Sequence, residues 1–312
     1  MNRQLGLALA AGLLSALSFL SLVKGIALGA MLSYVAPLPL MMAGLALGTG
    51  ASVIASGVAV AAVAGVAGGL SAVAFAISAA MPALVVTNRA LLWRQAPDGS
   101  DQWYPPGLVL AWLTAAGLAL LLSGAALLAG TPEGVKASVA DTIGRTLSLL
   151  AADIPEATRN QMVAWWTPVF PAMVIGSWLV MAVVNATGAQ GLVTRLGKAR
   201  RLSPAYRELM LPDWLAIGLA GSALVAVVGG GDVGYVAGNA AALFMIPFLL
   251  LGLAGIHRWA KGRPNAGLTL AVTYGLLILV FAWTAAAVTG LGLVRFWTMR
   301  FRRPDSGGGM EG

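Results

Sequence analysis

Apolar residues run along this chain in long, nearly unbroken stretches, and the polar residues collect in a few interruptions between them. Residues 25–88 contain no Asp, Glu, Lys, Arg or His. A water-facing domain surface of that length needs charge, so the solvent for these stretches is lipid. The apolar runs fall at residues 5–23, 26–48, 49–70, 71–92, 107–129, 164–187, 212–229, 236–256 and 266–294. Each is near or above the roughly 20 residues that a helix needs to cross a bilayer. The runs are continuous instead of alternating, which selects helices over a closed barrel, the two structures that satisfy every backbone group within lipid. The pattern therefore predicts an all-α fold: a polytopic transmembrane helical bundle of about eight to ten segments.

Two features modulate that picture. Glycine turns at Gly48 and Gly50 and at Gly68 and Gly69 are all that divides the second, third and fourth runs. Pro37 and Pro39 lie inside the second run, where each removes an N–H and crowds the preceding turn, so a broken or re-entrant segment is expected there.

The long polar connection, residues 130–163, reads as an outward-facing amphipathic helix. Thr131 can cap it with Pro132 at its first position, and Val135, Val139, Ile143, Leu147 and Leu150 then recur at helical spacing opposite Lys136, Asp141 and Arg145. Such a helix lies flat on the membrane surface or gates a binding site. Trp165 and Trp166 mark re-entry into the headgroup layer, and Trp93, Trp103, Trp214, Trp259 and Trp297 read as further interface anchors.

Composition agrees. Apolar residues make up 59% of the chain and charged ones 10%, with a mean hydropathy of +0.87. There is no Cys, hence no disulfide framework, iron–sulfur cluster or thiol nucleophile. No small-residue cleavage site precedes Lys24, so the first run reads as an uncleaved helix. The basic residues set the expected orientation. Arg195, Lys198, Arg200, Arg201 and Arg207 crowd a loop over residues 191–211, and Arg258, Lys261 and Arg263 crowd the turn after His257. Both are expected in the cytoplasm together with the N-terminus, in a bacterial inner membrane. Nine crossings would leave Arg295, Arg300, Arg302 and Arg303 outside, whereas charge favours them inside, which requires the last run to turn back on itself. The reading is one polytopic domain over residues 1–303, followed by a disordered end at 304–312.

Chemistry is sparse. A metal site needs several His, Cys or carboxylate ligands, and His257 is the single His. No Gly-x-Ser-x-Gly elbow is present. Gly229, Gly231 and Gly234 match the letters of a dinucleotide fingerprint, but an apolar run precedes them where a strand should be, so they read as an outer turn. The core runs carry no ionisable relay of the kind a pump needs, although backbone carbonyls at the Pro37–Pro39 break could coordinate sodium. The neutral groups at depth are Trp178, Asn185, Asn239 and Tyr274, which serve as interhelical hydrogen-bonding partners or as contacts for an uncharged or aromatic solute. Small residues at four-residue spacing, among them Ala8, Gly12 and Ala16, Gly44 with Gly48, Gly65 with Gly69 and Gly234 with Gly238, make smooth helix faces for close packing or for a partner.

Several motifs together resemble the YybS-like bacterial membrane proteins, a family without an assigned function. They are Tyr34-Val-Ala-Pro37-Leu-Pro39-Leu40 leading to Gly44 and Gly48, Trp103-Tyr-Pro-Pro-Gly107, Pro171 with Ser177, Trp178 and Asn185, Leu211-Pro-Asp-Trp214, and Asn239 followed by Gly252 to Ile256. That pattern in turn is distantly similar to the substrate-binding S subunits of energy-coupling-factor vitamin transporters, which have six helices. The similarity implies a ligand beneath the loop after the first helix, near Tyr34, Pro37 and Pro39, with Trp165, Trp166 and Trp178 as walls. It also implies docking of the Ala8, Gly12 and Ala16 face onto a membrane coupling subunit. The expectation is a non-enzymatic solute-binding or transport subunit with no cofactor, whose partners are membrane lipid, a small neutral or aromatic solute and a membrane protein, and not nucleic acid. The other reading is an assembly protein that offers its helix faces to a partner and binds no solute.

Overall fold

The computed structural model describes residues 3–151 and 153–301 and is almost wholly helical. The chain divides into two compact units, Met1–Pro204 and Ala205–Gly312. The division falls within the basic loop that the sequence places inside a single domain. The expected disordered end lies outside the described residues.

The first unit begins with α1 (Arg3–Val23), then α2 (Gly29–Tyr34) and α3 (Pro37–Leu47). The break expected at the prolines is present as a two-residue joint at Val35 and Ala36, with Pro37 in the first turn of α3, where its missing N–H costs nothing. Gly48 (φ 108°) ends α3, and the chain continues as α4 (Thr49–Phe75), a π-helical turn over Ala76–Ala80, and α5 (Met81–Ala90). These 42 residues are a helical hairpin. Gly68 departs from helical geometry at φ 83°, ψ 170°. A Cβ placed on Gly44 would stand 2.9 Å from that of Ser52 and 2.7 Å from that of Thr87, so the two ends of the segment meet. In an unbroken helix Ser52 and Thr87 would be about 52 Å apart. The Gly68 turn anticipated from the sequence therefore folds the segment back on itself, and Phe75 of the returning arm meets Phe19 of α1 edge to face.

A short hairpin follows, β1 (Trp93–Gln95) paired antiparallel with β2 (Asp101–Trp103). Its turn is held by Asp98, whose carboxylate accepts bonds from the Ser100 hydroxyl and N–H. The hydroxyl foremost, then the N–H, holds the Asp98 carboxyl below its usual range. Next come α6 (Pro106–Leu128), α7 (Gly134–Leu150), α8 (Glu156–Trp166) and α9 (Phe170–Arg195). The amphipathic helix is α7: Val135, Val139 and Ile143 are buried, while Asp141 and Arg145 pair on the exposed side at 2.8 Å. Its start differs from the expected cap. Residues 131–133 turn through Gly134 (φ 78°), so the helix begins two residues late, and the Thr131 hydroxyl bonds the Leu128 carbonyl instead. Its last turn also leaves the core, because Leu150 is exposed.

In the second unit, α10 (Trp214–Val228) and α11 (Gly231–Ala260) meet at the Gly229–Gly231 turn, so helices flank the glycine pattern and no strand enters it. The last apolar run is broken at Val280 (φ −131°, ψ 53°) into α12 (Ala266–Leu279) and α13 (Phe281–Phe301). Gly252 packs on the Val288 carbonyl and Gly292 on the Phe248 carbonyl, bringing the backbones of α11 and α13 together. Arg295 on α13 donates to the carbonyls of Arg207 and Leu251, and Arg300 pairs with Asp213.

Candidate functional site

The joint between α2 and α3 organises the first unit. In a continuous helix the Leu38 N–H would satisfy the Tyr34 carbonyl, but at the joint it bonds the Val35 carbonyl. The Tyr34 carbonyl is freed, and Asn185 of α9 donates its Nδ2 to it at 2.8 Å while also bonding the Met181 carbonyl. From the other side, the buried Ser15 hydroxyl of α1 donates to the Ala36 carbonyl at 2.6 Å. The Tyr34 hydroxyl lies 2.7 Å from the Ser177 hydroxyl. Two helices thus stitch the backbone opened by the prolines, as lipid requires of any irregular segment.

Trp178 follows Ser177, whose hydroxyl meets that of Tyr34. It is seven residues from Asn185 and so shares its face of α9. The side chain is 9% exposed, and its Nε1–H has no hydrogen-bonding partner among the described residues. A buried donor without a partner is costly, about 1–3 kcal/mol. Ser52 and Ser56, in the first turns of α4, carry the other such buried atoms among the described residues.

Of the residues singled out from the sequence, the structure joins Tyr34 and Asn185 beside Pro37 and Pro39 at the start of α3, and Trp178 lies two turns from Asn185 on the same side of α9. Trp165 and Trp166 sit exposed on α8, which packs against α7. Asn239 belongs to the second unit, where its amide donates to the Tyr235 carbonyl at 3.0 Å. His257 contacts Tyr274 edge to face. Ala8, Gly12 and Ala16 are buried, and a Cβ on Gly12 would collide with the Ala55 carbonyl of α4. That smooth face is occupied within the chain. Ser15 and Ser177 complete the joint; Ser177 enters the sequence reading only as part of a motif and Ser15 not at all, because a serine in an apolar helix has no distinguishing periodicity.

The opposite end of the unit is basic. Arg200 lies on Gly48 and reaches the C-terminal carbonyls of α3, with its N–H on Leu45 and its Nε on Ala46, both at 3.4 Å. Arg201, 7% exposed, donates Nη1 to the Ala90 carbonyl at the end of α5 at 2.8 Å and to the Tyr104 carbonyl at 3.3 Å, beneath Trp103. Gln190 bonds the Arg201 carbonyl and holds the loop to α9. Cations at helix C-termini complement the helix dipole as well as the unpaired carbonyls.

A family model described as a predicted membrane protein (DUF2232) matches residues 13–294. No curated protein and no solved structure matches the chain significantly.

Proposed function

We infer that this chain, which belongs to the DUF2232 family of predicted membrane proteins, is a solute-binding subunit that recognises a small neutral or aromatic molecule at the α2–α3 joint. The observation that carries the reading is the buried, unpartnered Nε1–H of Trp178 on the face of α9 that meets the joint. An acceptor on a bound solute would satisfy it, and the Tyr34–Ser177 hydroxyl pair stands at the same level. Counting the hairpin as two, the first unit holds six apolar segments of crossing length, the number found in S subunits of energy-coupling-factor transporters. No Asp, Glu, Lys, Arg or His lies at the joint, and the role read from it is recognition and not bond-making chemistry. On the same reading the protein sits in a bacterial inner membrane with the arginine-rich end facing the cytoplasm. A coupling subunit would meet a helix face other than Ala8, Gly12 and Ala16.

The rival reading, an assembly protein that binds no solute, draws on the joint's own hydrogen bonds: Tyr34, Ser177 and Asn185 are engaged with one another. Mass spectrometry of small molecules released on denaturing the detergent-purified protein separates the two. Repeated recovery of one compound, lost in Trp178→Phe, supports solute binding. Recovery of lipid alone from the wild type overturns it.

A further inference from the structure

We propose that Arg89, Tyr104 and Trp112 form a binding site for the phosphodiester headgroup of an anionic phospholipid. The guanidinium of Arg89, in the last turn of α5, lies 4.0 Å above the Trp112 ring of α6. Among the described residues no acceptor bonds it, although a guanidinium has five N–H donors. The Trp112 Nε1–H donates to the Tyr104 hydroxyl at 3.0 Å, which leaves the tyrosine's own O–H without an acceptor among the described residues. Two sets of unused donors therefore converge around one indole ring.

Position identifies the occupant. Trp112 is 45% exposed and stands in the second turn of α6, a segment of crossing length. That is headgroup depth, where tryptophan concentrates. Arginine and a phosphate diester match in geometry as well as charge, since two parallel N–H groups meet two oxygens.

Charge selects an anionic lipid over a zwitterionic one. Arg94, Arg200 and Arg201 share this end of the unit with Arg89, and Arg200 spends its bonds on backbone carbonyls, which leaves its charge uncancelled among the described residues. Arg94 bonds the neutral Gln102. The nearby carboxylates are Asp98, bound into its own turn, and Asp101. A headgroup ammonium would be repelled from this field. The second unit repeats the stacked pair, with Arg263 3.6 Å above Trp259.

The test is native mass spectrometry of the full chain titrated with phosphatidylglycerol or phosphatidylcholine. The wild type is expected to retain phosphatidylglycerol preferentially. Arg89→Gln is expected to lower that retention about fivefold, the effect of one cation near a charged membrane surface. Tyr104→Phe, which removes a single hydroxyl, lowers it less, and Arg145→Gln on α7 leaves it unchanged. Equal retention of both lipids by the wild type overturns the proposal, as does undiminished phosphatidylglycerol retention in Arg89→Gln. Displacement of the lipid by millimolar inorganic phosphate also overturns it, in favour of a soluble phosphate ligand.

Discussion

Asn185 donates a 2.8 Å hydrogen bond to the carbonyl of Tyr34, across 151 residues of sequence, and so closes a gap that Pro37 and Pro39 open in their own helix. The pair links two crossing segments at a point where neither could be unpaired in lipid. Replacing Asn185 with Leu is expected to lower stability by roughly 1–2 kcal/mol, the upper part of the range for interhelical polar bonds in membranes. Thermal unfolding in detergent reads this directly. Ser15→Ala removes the bond to Ala36 from the opposite side and should be smaller or equal in effect. An unchanged melting temperature in Asn185→Leu would show that the joint satisfies its carbonyls by other means.

The hairpin at Gly68 makes a stricter prediction. The chain has no cysteine, so Ser52→Cys with Thr87→Cys gives a clean cross-linking pair. Both side chains flank Gly44, which places them within reach of a disulfide or a short cross-linker. Efficient cross-linking within one chain is expected on mild oxidation. A segment that instead crossed as one straight helix would give none.

Gly44→Val should be among the most damaging single substitutions. A side chain there would overlap Thr87 and Ser52 on two different arms, and overpacking of this kind costs about 1–3 kcal/mol. Gly65→Val serves as the comparison, because a Cβ at Gly65 meets nothing within 4 Å. Equal destabilisation by the two would point to loss of glycine itself and away from the contact.

Arg201 is expected to tolerate no replacement, including Lys. Its guanidinium donates Nη1 to the carbonyls ending α5 and preceding α6 and Nε to the Leu202 carbonyl, and a lysine ammonium, a single point donor, cannot reproduce that spread of donors. Hydrogen bonds to charged groups contribute about 1.5–3 kcal/mol, so Arg201→Gln should unfold measurably earlier, whereas Lys198→Gln on the same loop should not. Proteolysis of the loop over residues 196–205 provides a second readout, with faster cleavage expected in Arg201→Gln.

The amino-acid order by itself determined that this is an all-α membrane protein, because a charge-free stretch is incompatible with water and its backbone can be satisfied only internally. It also located the interruptions at Pro37, Gly48 and Gly68, since a missing N–H and a residue tolerant of positive φ are properties of single positions. The buried stripe of α7 was equally legible, being a matter of period. Only the tertiary structure decided what those interruptions are for. That Gly68 reverses the chain depends on Ser52 and Thr87 meeting at Gly44, and that the proline joint is closed depends on Ser15 and Asn185 arriving from distant helices. The same holds for the small-residue faces. Ala8, Gly12 and Ala16, Gly44 with Gly48, and Gly65 with Gly69 look alike along the chain, yet the first is covered by α4, Gly44 is wedged between two arms and Gly65 is open. Spacing states that two helices can approach closely, but which pair does so is a property of the packing, in which lipid and protein offer an apolar helix nearly the same solvent.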